Sequence, residues 1–395
     1  MRKKYFFHIA ALLIVGMMVS CAKDEDGQQP TEMTVGEAYI TDTVRYESDH
    51  MTAYNFVYPS KDPYGEAVML SGTITIGDNV KAARYAKAML LYNHFTVYRA
   101  DQCPSKGGLL EQRFTAALDL ITISPDYYGF GVTEGKHQAY CISQNNAQGS
   151  VDALLGAQKI LREKGYTWGD LLFNAGYSQG GQTTMGVVRL VAERYPDIHI
   201  TYSFAGAGSY DIPATYVQFV DTTIAGMPST VVSVLLAYNE FKQLGIAREE
   251  IFTEPLLSHI DDWIYSKRYT REEIDAKIGS LYFAQYTTPT MADTGSTLSK
   301  RFMAAFDGDN LCKGWTPRGD EHLMLFHSTK DITVPSVNTE NMYNFLIENG
   351  VPADNIDLRI MDIGASGTTP AHEKAAETFV VQALLKLSAI MNEAD

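Results

Sequence analysis

The chain has 395 residues, 45% of them hydrophobic and 20% charged, with a formal net charge of −15 at pH 7. That length buries a sizeable core and suits one long α/β enzyme or two to three domains. So acidic a body excludes nucleic acid and anionic lipid as main partners, and the four cysteines lack any zinc-type spacing, so neither a metal nor an organic cofactor is implied.

Arg2, Lys3 and Lys4 precede an apolar stretch from Tyr5 to Val19, so residues 1–20 read as an export signal rather than a membrane span. Met18-Val19-Ser20-Cys21 resembles a bacterial lipobox, which makes Cys21 the expected lipidation site and new N-terminus; a simply cleaved secretory signal is the alternative. Shedding the signal takes the formal charge from −15 to −18, leaving acyl chains as the sole membrane attachment. The expected location is the bacterial outer membrane or cell surface, otherwise secreted or periplasmic. Residues 21–40, polar and with Gly27 and Pro30, read as a linker.

The first core segment, residues 41–207, alternates strand and helix patterns. Glu66–Ile76, Ala88–Tyr92 and Leu120–Ser124 read as strands, the last two short and wholly apolar, as in a parallel sheet covered on both faces. A helix is predicted over Ala147–Glu163, then a strand running into Gly176, a helix over Thr183–Ala192, and a strand over Ile198–Ala205. Residues 208–320 break the alternation: Ser229 precedes an apolar run ended by Gly245, and Thr270-Arg271-Glu272-Glu273 is a capping box. This stretch reads as an inserted helical cap. Residues 321–395 resume the core with strands at His322–Phe326 and Ile356–Ile363 and helices near Ser336–Asn349 and His372–Ser388. The pattern is an α/β chain with a doubly wound, mostly parallel sheet and an inserted helical cap.

Gly176-Tyr177-Ser178-Gln179-Gly180 joins an apolar strand to a helix, the strand–turn–helix setting of a nucleophile elbow. A serine hydroxyl attacks a carbonyl when a histidine takes its proton and an acid orients that histidine. In this fold both follow the serine on loops at strand ends. Asp331, just past the strand starting at His322, and His372, after the last strand, stand in those positions. His50, His199 and His259 lie outside such loops, and His322 and His327 belong to the strand carrying the acid. The competing acids are Asp307, Asp309 and Asp320 around the cap exit and Asp362 inside the last strand.

Oxyanion donors are expected from the backbone of Gln179 and from Phe95 or Thr96, in the loop after Tyr92. His94 is open between that site and a structural role, and Tyr128 more readily packs than catalyses. Trp263, Tyr265, Tyr282, Phe283, Tyr286, Phe302 and Phe306 of the cap either line an apolar cleft or pack between helices. Cys103, Cys141 and Cys312 allow at most one disulfide in an oxidising compartment, with buried free thiols as the alternative.

The ordered motifs Ser71-Gly72-Thr73, Cys103-Pro104-Ser105, Ser124-Pro125-Asp126-Tyr127-Tyr128-Gly129, the elbow, Trp315-Thr316-Pro317, Asp331-Ile332-Thr333-Val334-Pro335 and Ala371-His372-Glu373 resemble the secretory lipase family of α/β-hydrolases. The resemblance implies the same Ser178, Asp331 and His372 triad. The cap matches no pattern, so substrate preference does not transfer.

The expected activity is hydrolysis of small-molecule carboxylic esters through an acyl-enzyme. A serine peptidase on the same fold is the nearest alternative, needing carboxylates such as Glu249, Glu250 or Asp261 on a substrate amine. A nutrient-binding surface lipoprotein is the non-enzymatic one, and an intact ordered Ser, Asp and His argues against it. Oligomeric state is not legible from the sequence.

Overall fold

The computed structural model describes residues 36–107, 118–222 and 224–394; the export signal, Cys21 and most of the expected linker lie outside the described residues. Nine strands form one sheet in the order β1-β2-β3-β5-β4-β6-β7-β8-β9. β1 (Tyr39–Tyr46), β2 (Met51–Lys61) and β3 (Ala67–Gly77) pair antiparallel, and β3 pairs antiparallel with β5 (Leu120–Pro125). From β5 onward all is parallel: β4 (Tyr85–Asn93), β6 (Thr167–Tyr177), β7 (Tyr202–Gly206), β8 (Leu323–Ser328) and β9 (Ile356–Met361).

β1 and β2 are absent from the sequence reading. β1 is an edge strand, mostly exposed and rich in Thr and charge, and β2 mixes Thr, Asn and Pro among buried aromatics, so neither carries a clean apolar run. The sheet therefore already begins at Tyr39, inside the stretch expected to be linker. The strand expected from Ile198 starts at Tyr202, because Ile198 closes a turn on the Tyr195 carbonyl.

Helices α1 (Ser143–Glu163) and α2 (Gln179–Arg194) flank β6 in the chain. Between β7 and β8 come α3 (Ile212–Thr222), α4 (Pro228–Phe241), α5 (Arg271–Ile278) and α6 (Thr297–Asp307), with shorter turns between them. Two helices close the chain, α7 (Val337–Glu348) and α8 (Ala371–Glu393).

Alternation along the buried strands shows how the sheet is covered. Leu323 and Leu325 pack with Met342, Phe345 and Leu346 of α7, whereas Met324 and Phe326 point to the other face and meet Phe379, Ala383 and Leu387 of α8. Both faces are dry, which is why β5 and β8 read as unbroken apolar runs. The core formed by α1 and α2 against the sheet continues without a break into α3, α4 and α6.

Phe204 of β7 is fully buried and packs on Phe173 and Tyr202. Phe204→Ala is expected to cost about 3–5 kcal/mol; a denaturant midpoint and slope matching wild type would contradict this packing.

Candidate active site

The carboxyl ends of β4, β6 and β7 converge on the elbow. A Cβ built on Gly180 would stand 2.1 Å from the Asn93 carbonyl oxygen, and one on Gly176 would stand 2.7 Å from the same atom. A Cβ on Gly181 would lie 2.2 Å from the Gly206 oxygen. Only glycine fits at these crossings. The turn holds Ser178 at φ 59°, ψ −121°, a strained conformation for a residue with a Cβ, fixed by its amide donating to the Gly206 carbonyl at 2.8 Å.

Ser178, His372 and Asp331 come together as a hydrogen-bonded chain. Nε2 of His372 is 2.9 Å from Ser178 Oγ, and Nδ1 is 2.5 Å from Asp331 Oδ2. His372 opens α8, and its carbonyl accepts the Tyr177 hydroxyl at 2.7 Å, so the tyrosine of the elbow ties down the helix that carries the histidine. The other Asp331 oxygen accepts the amides of Thr333 and Val334 at 2.8 and 3.0 Å. Burial by itself would raise the Asp331 carboxyl, but the charge of His372 and the imidazoles of His327 and His372 outweigh it and hold the group well below the usual carboxylate range.

His327 escaped the sequence reading except as part of the acid's strand. Its ring is wholly buried, with Nε2 2.7 Å from the Val334 carbonyl and 3.5 Å from Asp331 Oδ2, and Nδ1 2.7 Å from Thr339 Oγ1. It props the turn that presents the acid. The spacing of four between His327 and Asp331 was the available signal.

The rival acids lie elsewhere. Asp307 pairs with Lys313 at the surface, Asp320 is exposed, and Asp362 sits 3.5 Å from Lys330 in solvent. Asp309 is fully buried but accepts from the Ser143 amide and hydroxyl and the Tyr238 hydroxyl, clamping α4 to the start of α1.

Gln179 opens α2 directly after Ser178, where helix amides point outward. Phe95 and Thr96 border a cavity with Ser178 and His372, so all three expected oxyanion residues surround the serine. His94 is structural: buried and stacked on Tyr127, it faces the Phe95 and Asp126 carbonyls at 2.6 and 3.2 Å. Burial lowers its pKa, with the two carbonyls offsetting part of the effect. Tyr128 packs edge-on against Phe241.

Two alternatives left open by the sequence are decided by the structure. Cys103, Cys141 and Cys312 are all free, because each is enclosed by a different part of the core, and burial pushes the Cys141 thiol up to about 12. Trp263, Phe283, Tyr286 and Phe302 pack into the core between helices, Tyr282 is exposed and Tyr265 borders a different cavity; of the seven cap aromatics only Phe306 lines the apolar cavity beside Ser178. Its remaining walls, including Ile212, Tyr216, Phe219, Val231 and Leu235, gave no sign in the sequence beyond helical spacing. Among the described residues no group of three His, Cys, Asp or Glu is placed to hold a metal ion, and no helix is long and apolar enough to cross a membrane.

Sheet order, helix placement and the strand–turn–helix define an α/β-hydrolase. Residues 120–353, more than half the chain, match the model of the secretory lipase family, and the chain belongs to that family of lipases and esterases. No curated protein matches it in sequence. The fold is similar to that of a protein from Legionella pneumophila, 18% identical over 90% of this chain and 98% of the other, TM-score 0.74. The rice cell wall degrading esterase LipA from Xanthomonas oryzae is 18% identical over 91% and 96%, TM-score 0.71. Candida antarctica lipase A is 14% identical over 83% and 76%, TM-score 0.61. At these identities the likenesses carry the fold.

Because its folded pKa is depressed, Asp331 contributes stability that is complete above its unfolded value near 4 and drains away as pH falls through the acid range. The stability gap between wild type and Asp331→Asn, followed by chemical denaturation from about pH 7 to pH 3, is expected to shrink on acidification. A constant gap would mean that the carboxylate is not held ionised.

Proposed function

We propose that the protein is an exported serine hydrolase that cleaves carboxylic esters through an acyl-enzyme. The observation that carries this reading is the chain Ser178–His372–Asp331, at 2.9 and 2.5 Å, over a positive-φ elbow. His372 removes the Ser178 proton as Oγ attacks the carbonyl, and Asp331 holds the ring and balances the imidazolium that forms. The oxyanion develops beside the α2 N-terminus, where the Gln179 amide and an amide of Phe95 or Thr96 stabilise it. His372 then protonates the departing alkoxide, and water, activated by the same base, releases the acid.

Residues 208–320 act as a roof: Tyr216, Phe219, Val231 and Phe306 wall the cavity that reaches Ser178, excluding water and leaving an apolar surface for substrate. Export rests on residues 1–20 and on a family named for secretion, and attachment on lipidated Cys21.

Ser178→Ala is expected to lower turnover of nitrophenyl esters by on the order of 10⁶ with the fold retained, and fluorophosphonate should label wild type at Ser178 alone. Wild-type turnover in the variant, or an adduct elsewhere, would overturn the assignment. Attachment is tested separately: the exported protein should partition with membranes and Cys21→Ala should not be processed, whereas mature wild-type protein starting at another residue would refute lipidation.

A further inference from the structure

Two cavities meet at Ser178, and they differ in size and in what borders them. The narrow one encloses about 60 Å³ and is bordered by Gln179, Thr333 and the apolar walls of α3 and α4. The wide one encloses about 330 Å³ and is bordered by His372, Phe95 and Thr96. Resting on the serine-esterase reading, their roles follow from proton transfer. The leaving oxygen must take its proton from His372 Nε2, so the alcohol half of an ester lies on the side that His372 borders. The acyl half is then directed into the narrow cavity, whose walls are mostly apolar.

The wide cavity is two-faced. Tyr92, Phe95, Met227 and Phe379 supply an apolar floor. Arg271, Glu272 and Glu373 supply a charged rim, with Gln102 nearby. Arg271 is the first residue of α5 and Glu373 follows His372 on α8, so the rim joins the helical roof to the histidine helix. The Arg271 guanidinium donates to Asp275 at 2.7 Å, to Glu272 at 2.8 Å and to Glu373. One cation thus meets three carboxylates and the rim is net negative. Each of Glu272 and Glu373 contacts Arg271 through Oε1, and an ionised carboxylate has lone pairs enough to accept from a ligand hydroxyl as well. An alkyl alcohol would strip water from these charges and return no hydrogen bond. An anionic alcohol would meet like charge.

We propose that the wide cavity is the leaving-group site for esters of neutral, polyhydroxylated alcohols, and that Arg271, Glu272 and Glu373 are its specificity-determining residues. A ring with an apolar face and hydroxyl edges satisfies floor and rim together.

The test compares kcat/KM of the mature enzyme on acetylated methyl glucoside against hexyl acetate. The glucoside acetate is expected to exceed hexyl acetate by roughly tenfold or more. Glu272→Gln and Glu373→Gln should each move the glucoside-to-hexyl ratio toward hexyl acetate. Glu272 is largely exposed and its variant folds even if the other does not. Equal rates on the two acetates, or an unmoved ratio in the Glu272 variant, would overturn the proposal. Fluorophosphonate labelling of Ser178 in the same preparations separates the two readings: if it persists, only the substrate assignment fails, and if it is absent, the serine-esterase reading fails too.

Discussion

The Asn93 carbonyl oxygen is the point on which the site is built. It leaves no room for a Cβ at either Gly176 or Gly180, so the end of β6, the turn and the start of α2 must pass against the end of β4 as bare backbone. That approach forces Ser178 into positive φ and lifts its hydroxyl out of the sheet. It also places the first amides of α2 beside the loop at Phe95 and Thr96. Below the turn, the Asn93 amide donates to Asn174 Oδ1 and Thr184 Oγ1 at 2.8 and 3.1 Å, so strand, neighbouring strand and helix are pinned by one buried side chain. Strain at the serine is thus held by contacts of its neighbours together with the bond from its own amide to the Gly206 carbonyl.

A second buried carboxylate organises the other side of the site. Asp126 accepts the Ser71 hydroxyl at 2.5 Å and the Ser105 amide at 2.8 Å, and Ser71 in turn accepts the Val132 amide. Three of the ordered motifs, Ser71-Gly72-Thr73, Cys103-Pro104-Ser105 and Pro125-Asp126-Tyr127, therefore meet at one carboxylate. The Asp126 carbonyl also faces His94, stacked on Tyr127, whose other ring nitrogen faces the Phe95 carbonyl. These motifs are in large part the frame that fixes the loop at His94 and Phe95.

This explains what was legible. Parallel strands buried on both faces announce themselves as apolar runs, and a nucleophile turn needs glycine at fixed offsets, so β4 to β9, the elbow and the strand-end positions of Asp331 and His372 could be read from residue order. What could not be read depends on three-dimensional company. β1 and β2 are held by pairing rather than by an apolar signal. His327 acts through Asp331 and Val334, which its own composition does not reveal. The roof aromatics show the limit most clearly: helical spacing predicts that Trp263, Tyr286 and Phe302 face something apolar, but not whether that is a cavity or another helix.

The roof is tied to the core by buried polar contacts, which bears on how the cavities are shaped. Lys267 donates its ammonium to the carbonyls of Gly129, Glu134 and Lys136, and burial pushes its pKa down to about 8 despite the nearby charge of Glu134. Asp309 bridges Tyr238 of α4 to Ser143 of α1, and Arg271 reaches Glu373 beside the histidine. Opening such a roof would strip Lys267 of its three carbonyls and part Asp309 from Ser143, leaving it Tyr238 and Lys242, with each charged hydrogen bond lost costing about 1.5–3 kcal/mol. A lid that must swing to admit a lipid surface is built from elements of low local stability. Here the helices that wall the narrow cavity are instead continuous with the sheet's own core, so the space beside Ser178 is set by the fold and not by the arrival of substrate.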